Sequence, residues 1–84
     1  MNSRHRKTLE ALFASPIPKT LAFRRVESLL KSIGCVMIEG EGSRVAFYLA
    51  GRVLALHRPH PGNEIKPYQI RATQMFLISV GVRP

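Results

Sequence analysis

Between Arg44 and His57 the chain repeats with a period of two, and no other stretch restricts its fold so tightly. Val45, Phe47 and Leu49 alternate with Arg44, Ala46 and Tyr48; beyond Gly51-Arg52, Leu54 and Leu56 alternate with Val53, Ala55 and His57. Successive side chains on a strand point to opposite faces, so each run has one bulky apolar face and one mixed face. Two such runs around a turn at Gly51-Arg52 read as a β-hairpin. The bulky set needs a cover, while Arg44, Tyr48 and His57 fall on the open side. Alternation does not say which residues lie opposite one another, so whether Arg44 and His57 are neighbours stays open. The exit, His57-Arg58-Pro59-His60-Pro61, holds two of the three histidines.

The flanking segments supply the cover. From Arg4 to Ala14, Leu9, Leu12 and Phe13 share one side of a short helix with Ser3 as its N-cap. Ser15-Pro16-Ile17-Pro18 ends it, which makes this helix the element expected to be peripheral. Leu21 to Ile33 is the strongest helical pattern, with Phe23, Val26, Leu29, Leu30 and Ile33 on one stripe, Thr20 as N-cap and Gly34 as terminator. Cys35 to Glu39 is short and β-branched and reads as the first strand, followed by a turn at Gly40 and Gly42. Pro67 is suited to open a last helix that buries Ile70, Thr73, Phe76, Leu77 and Val80 and stops at Gly81. The predicted order is helix, helix, three antiparallel strands, helix. This is an α+β domain with helices on one sheet face.

Thirteen Lys and Arg stand against five acids, all Glu, giving a formal charge of +8. Such a surface attracts polyanions, RNA among them, or an acidic protein partner. Cys35 has no second cysteine to pair with and sits in an apolar run, consistent with a reducing cytoplasm. No signal peptide follows the basic amino terminus, and no apolar run approaches the length needed to span a bilayer.

If the polyanion such a surface attracts is RNA, cutting it without a metal needs a base for the 2′-hydroxyl proton, an acid for the leaving 5′-oxygen and cations for the phosphorane charge. Imidazole suits the first two roles because its ordinary pKa of about 6.5 lies close to working pH. His57 is therefore the candidate general base and His60 its partner or the acid. Arg44 and Arg58 are the candidates for holding the phosphate. Arg52, Lys66 and Arg71 extend a basic track for an RNA backbone, with Tyr48 placed to stack on a base and Ser43 in the turn before the hairpin. His57-x-x-His60 lacks a third and fourth metal ligand, and a chain without Asp cannot assemble a two-metal nuclease centre. Ser43 has no His and Asp support, which excludes serine-hydrolase chemistry. No metal or other cofactor is called for.

One combination goes further. Leu29-Leu30-Lys31-Ser32-Ile33-Gly34, then Glu39-Gly40-Glu41-Gly42-Ser43, a hairpin closing in His57-Arg58-Pro59-His60-Pro61-Gly62, and a last helix with Phe76-Leu77-Ile78-Ser79-Val80-Gly81 follow in order. In this, Phe23 to Val82 resembles the HicA toxins of bacterial toxin–antitoxin pairs. The resemblance implies a fold like a double-stranded-RNA-binding domain, with two helices on one face of a three-stranded antiparallel sheet. It also implies an mRNA endonuclease neutralised by a HicB-type antitoxin. Residues 1–18 become an added N-terminal helix, and 19–84 the HicA-like domain. In the better-known members a catalytic histidine directly follows the Gly-Ser pair, whereas Gly42-Ser43 here precedes Arg44. A guanidinium stays protonated and cannot act as base. Either another residue moves the proton, or this is a non-catalytic RNA-binding module or an inactive toxin copy of the same fold.

Overall fold

The computed structural model describes residues 1–84. Helix α1 (Ser3–Leu12) is followed by a two-residue strand β1 (Leu21–Ala22), helix α2 (Phe23–Ser32), strands β2 (Val36–Glu39), β3 (Arg44–Leu49) and β4 (Arg52–His57), a second two-residue strand β5 (Glu64–Ile65) and helix α3 (Pro67–Ser79). β2, β3 and β4 form an antiparallel sheet in that order, and β1 pairs with β5 in a separate antiparallel ladder. This is the expected α+β architecture, with the small β1–β5 ladder added.

The hairpin's alternation sorts its faces as the pattern predicts. Val45, Phe47, Leu54 and Leu56 are buried against the helices, while Arg44, Tyr48, Val53, Ala55 and His57 are exposed. The turn itself is shifted by one residue from Gly51-Arg52. Ala50 and Gly51 form it, both with positive φ (51° and 74°), and Leu49 pairs with Arg52. Two consecutive left-handed residues give the two-residue hairpin connection whose twist matches the strands.

Helix α2 ends as its glycine predicts. Gly34 takes φ 104°, its N–H donates to the Lys31 carbonyl and the Cys35 N–H to the Leu30 carbonyl, each at 3.1 Å. These two bonds close a Schellman-type end that delivers the chain directly into β2. Burial raises the pKa of the Cys35 thiol, because the thiolate loses water. The start of α2 differs from expectation. Ala22, not Thr20, is the N-cap residue, and no side chain caps the helix. The Phe23 N–H instead donates to the Asn63 carbonyl at 2.8 Å, since the β1–β5 ladder has brought that backbone alongside. Asn2 rather than Ser3 caps α1, its Oδ1 accepting from the His5 N–H at 2.8 Å.

α1 is not peripheral. Thr8, Leu9 and Leu12 are buried, and the two leucines join a single cluster with Val26, Leu29, Leu30, Phe47, Leu56, Ile70 and Leu77. Gln74 Nε2 on α3 donates to the Leu12 carbonyl at 3.3 Å. The Pro-containing link after α1 turns the chain back without detaching the helix, because the leucine stripe finds the α2–α3 junction.

Candidate functional site

The β3–β4 register resolves the question left open by the pattern. Arg44 and His57 are direct cross-strand partners, at the end of the hairpin away from its turn. Side chains on such a rung have Cβ atoms about 4.5–5.5 Å apart on one face. Arg44, His57, Tyr48, Ile38, Ala46 and Ala55 line a shallow open-face depression of about 430 Å³. No ion pair occupies the Arg44 guanidinium.

The backbone at His57 is held by a residue that the sequence pattern did not mark. Its N–H donates to Gln69 Oε1 at 2.8 Å, and Gln69 Nε2 reaches the His57 carbonyl at 3.5 Å. Gln69 is only 6% exposed. Its amide thus acts as a one-residue strand against the free edge of β4, and it brings the first turn of α3 to the histidine. The N-terminal end of a helix favours anions. Gln69→Leu is expected to remove both bonds, lower stability by about 1–3 kcal/mol and abolish hydrogen-exchange protection at the His57 amide. Protection unchanged from the parent chain, measured by NMR, counts against this role.

The remaining sequence candidates separate. Arg52 begins β4 at the turn end, five residues from His57, or about 17 Å along the strand. Tyr48 lies between the two ends on the open face, 45% exposed. Lys66 is the residue before the first turn of α3, with no capping bond from its side chain, and Arg71 is on the exposed side of that helix. His60 is exposed in the loop after β4 and does not line the depression. Ser43 is exposed in the preceding turn, and its carbonyl accepts from the Arg58 N–H at 2.7 Å.

Arg58 has other company than the phosphate expected for it. Its guanidinium lies 3.3 Å from Glu39 Oε1 and 3.5 Å from Glu27 Oε1, and 5.2 Å from the centre of the Phe23 ring. Half-exposed pairs of this kind add little stability, but together they point the side chain inward and tie β2, α2 and the end of the hairpin to one another. Arg44 is then the cation left facing the depression beside His57. No group of three or more His, Cys, Asp or Glu side chains converges to hold a metal ion. No helix is long and apolar enough to cross a membrane.

No curated protein and no solved structure matches the chain. A family model described as the HicA toxin of bacterial toxin–antitoxin systems matches residues 23–76, which run from the first residue of α2 into α3 and include the Arg44–His57 rung, so the chain belongs to the HicA toxin family.

Proposed function

We propose that this chain is the RNA-cleaving member of a toxin–antitoxin pair, acting on mRNA in the cytoplasm with His57 as general base and Arg44 as its phosphate-binding partner. The observation that carries this reading is the rung they share. The resemblance implies a catalytic imidazole at position 44. His57 offers one from the directly opposite position, on the same face, and Arg44 supplies the charge beside it. His57 takes the 2′-hydroxyl proton, the 2′-oxygen attacks the adjacent phosphorus, and the bond to the 5′-oxygen breaks. The products are a 2′,3′-cyclic phosphate and a 5′-hydroxyl, with the leaving oxygen protonated from solvent because His60 stands outside the depression. Arg44 neutralises the non-bridging oxygens as charge builds on them. Tyr48 stacks on a base. Ser43 contacts the backbone beside the rung, Arg52, Lys66 and Arg71 add to the charge that draws the polyanion in, and Arg58 braces the loop.

The antitoxin, of HicB type, covers the open sheet face. Val36, Ile38, Tyr48 and Val53 are 60%, 54%, 45% and 57% exposed there, a more apolar surface than a strand of RNA uses, with the Arg44 cation at one end suited to an acidic group of the partner. Arg44 in place of the family histidine favours a second reading, a module or inactive copy that binds RNA without cutting it. Incubating the purified chain with RNA in excess chelator separates the two. Fragments ending in 2′,3′-cyclic phosphate are expected, whereas retarded but intact RNA establishes the binding module.

A further inference from the structure

A second cationic site lies on the other side of α2 from the sheet. Arg4, His5, Lys7 and Thr8 of α1 and Arg24, Arg25 and Ser28 of α2 line a cleft of about 760 Å³ that contains no apolar residue and no carboxylate. Arg4, Lys7, Arg24 and Arg25 are all cationic side chains, and the three ion pairs of the chain all lie elsewhere, on Glu27 and Glu39. Both helices carry cations in their first turns, where the macrodipole favours acids, and neither has an acid there. A cleft in which two local electrostatic rules are broken together is stabilised by an anion entering it.

The walls are also set. Thr8 is 2% exposed, and its hydroxyl donates to the Arg4 carbonyl at 3.1 Å while accepting from Arg25 Nε at 3.3 Å. That leaves the Nη groups of Arg25 without a protein partner. His5 Nε2 and Ser28 Oγ are 2.7 Å apart across the cleft. Arg4, Lys7 and Arg24 make no side-chain hydrogen bond at all, so four cations in one cleft have donor groups unspent. The lining offers hydroxyl, ammonium and guanidinium donors and no Phe, Tyr or Trp ring, which fits contacts to phosphate and sugar.

We infer that the α1–α2 cleft is an exosite for the phosphodiester backbone of the RNA substrate, holding a strand at a distance from the Arg44–His57 rung. Half of it comes from α1, an element outside the residues matched by the family model, so it is a property of this chain's own N-terminal segment. Its identity as a substrate exosite rests on the RNA-cleaving reading given above.

The test compares two double variants that each remove two charges, built in a His57→Ala background so that RNA is not consumed. Lys7→Ala/Arg24→Ala removes one cation from each wall of the cleft, and Lys19→Ala/Arg83→Ala removes two exposed cations outside both sites. Affinity for a labelled single-stranded RNA of about 16 nucleotides is measured against salt. The cleft pair is expected to weaken binding about tenfold near 0.1 M salt and to flatten the log–log salt slope by about 1.4, with the control pair changing affinity less than twofold. Equal effects from the two pairs, or none from either, overturn the exosite, as does a cleft pair that weakens binding to the antitoxin but not to RNA. Cleavage by the chain with His57 intact is scored separately: binding through the cleft without cleavage overturns the catalytic reading and leaves the cleft a site for RNA backbone that is not a substrate's, and cleavage with indistinguishable pairs overturns the exosite alone.

Discussion

His57→Ala is expected to lower the single-turnover rate of RNA cleavage at least a hundredfold while leaving the fold intact. A positioned general base contributes about 10²–10⁴ in rate, and no other imidazole lines the depression that Arg44 and His57 share. The His57 side chain is exposed and the hydrogen bonds at this residue are made by its backbone, so the substitution should shift stability by no more than about 0.5 kcal/mol. Loss of activity therefore reports chemistry rather than unfolding, which circular dichroism checks. His60→Ala is expected to cost less than tenfold. The more searching variant exchanges the two residues, Arg44→His with His57→Arg. The imidazole then occupies the position implied by the family resemblance and the guanidinium faces it, so cleavage is expected to return well above the level of His57→Ala. A folded His57→Ala chain that cleaves at the parental rate ends the assignment.

Leu12→Ala is expected to destabilise the whole domain by about 2–5 kcal/mol, as removal of a buried leucine side chain does elsewhere. Leu12 is fully buried in the core shared by α1, α2, the sheet and α3. At the usual per-residue range, 84 residues support a total of roughly 4–13 kcal/mol, so one substitution in a short N-terminal helix removes a large fraction of it. Urea unfolding followed by far-ultraviolet circular dichroism should show a single transition at a much lower midpoint. Arg6→Ala, on the exposed side of the same helix, should move it little. If Leu12→Ala leaves the midpoint in place, α1 is an appendage and the packing described here is not what holds the domain together.

These two expectations stand on different footings in the sequence. The faces of the hairpin were readable from alternation alone, because Phe47 and Leu56 must be buried and a period of two leaves only one side for them. Helix α2 was equally plain from its apolar stripe and from Gly34. The partnership of Arg44 with His57 was not readable, since pairing register depends on turn geometry, and the turn lies at Ala50-Gly51 rather than Gly51-Arg52. Two-residue strands carry no periodicity, so Leu21–Ala22 and Glu64–Ile65 could not announce that they pair, and the cap expected at Thr20 was displaced by that pairing. Gln69 was hidden for another reason. A glutamine on a helix is unremarkable until an unpaired strand edge comes within reach, and nothing near it in sequence reveals the edge. Similarly, Arg58 had the chemistry for phosphate binding, while Glu27 and Glu39, the residues that engage it, lie 31 and 19 positions away.

A rung of an antiparallel ladder presents its two occupants to the same patch of solvent, whichever strand each belongs to. Exchanging their identities moves a functional group sideways by one strand spacing, about 4.8 Å, and leaves every backbone bond where it was. A search keyed to one alignment column reads such an exchange as a lost catalytic residue. Hairpins whose facing position holds the imidazole that the first position lacks belong among the copies to be assayed for cleavage, and a chain with arginine after its Gly-Ser pair is one of them.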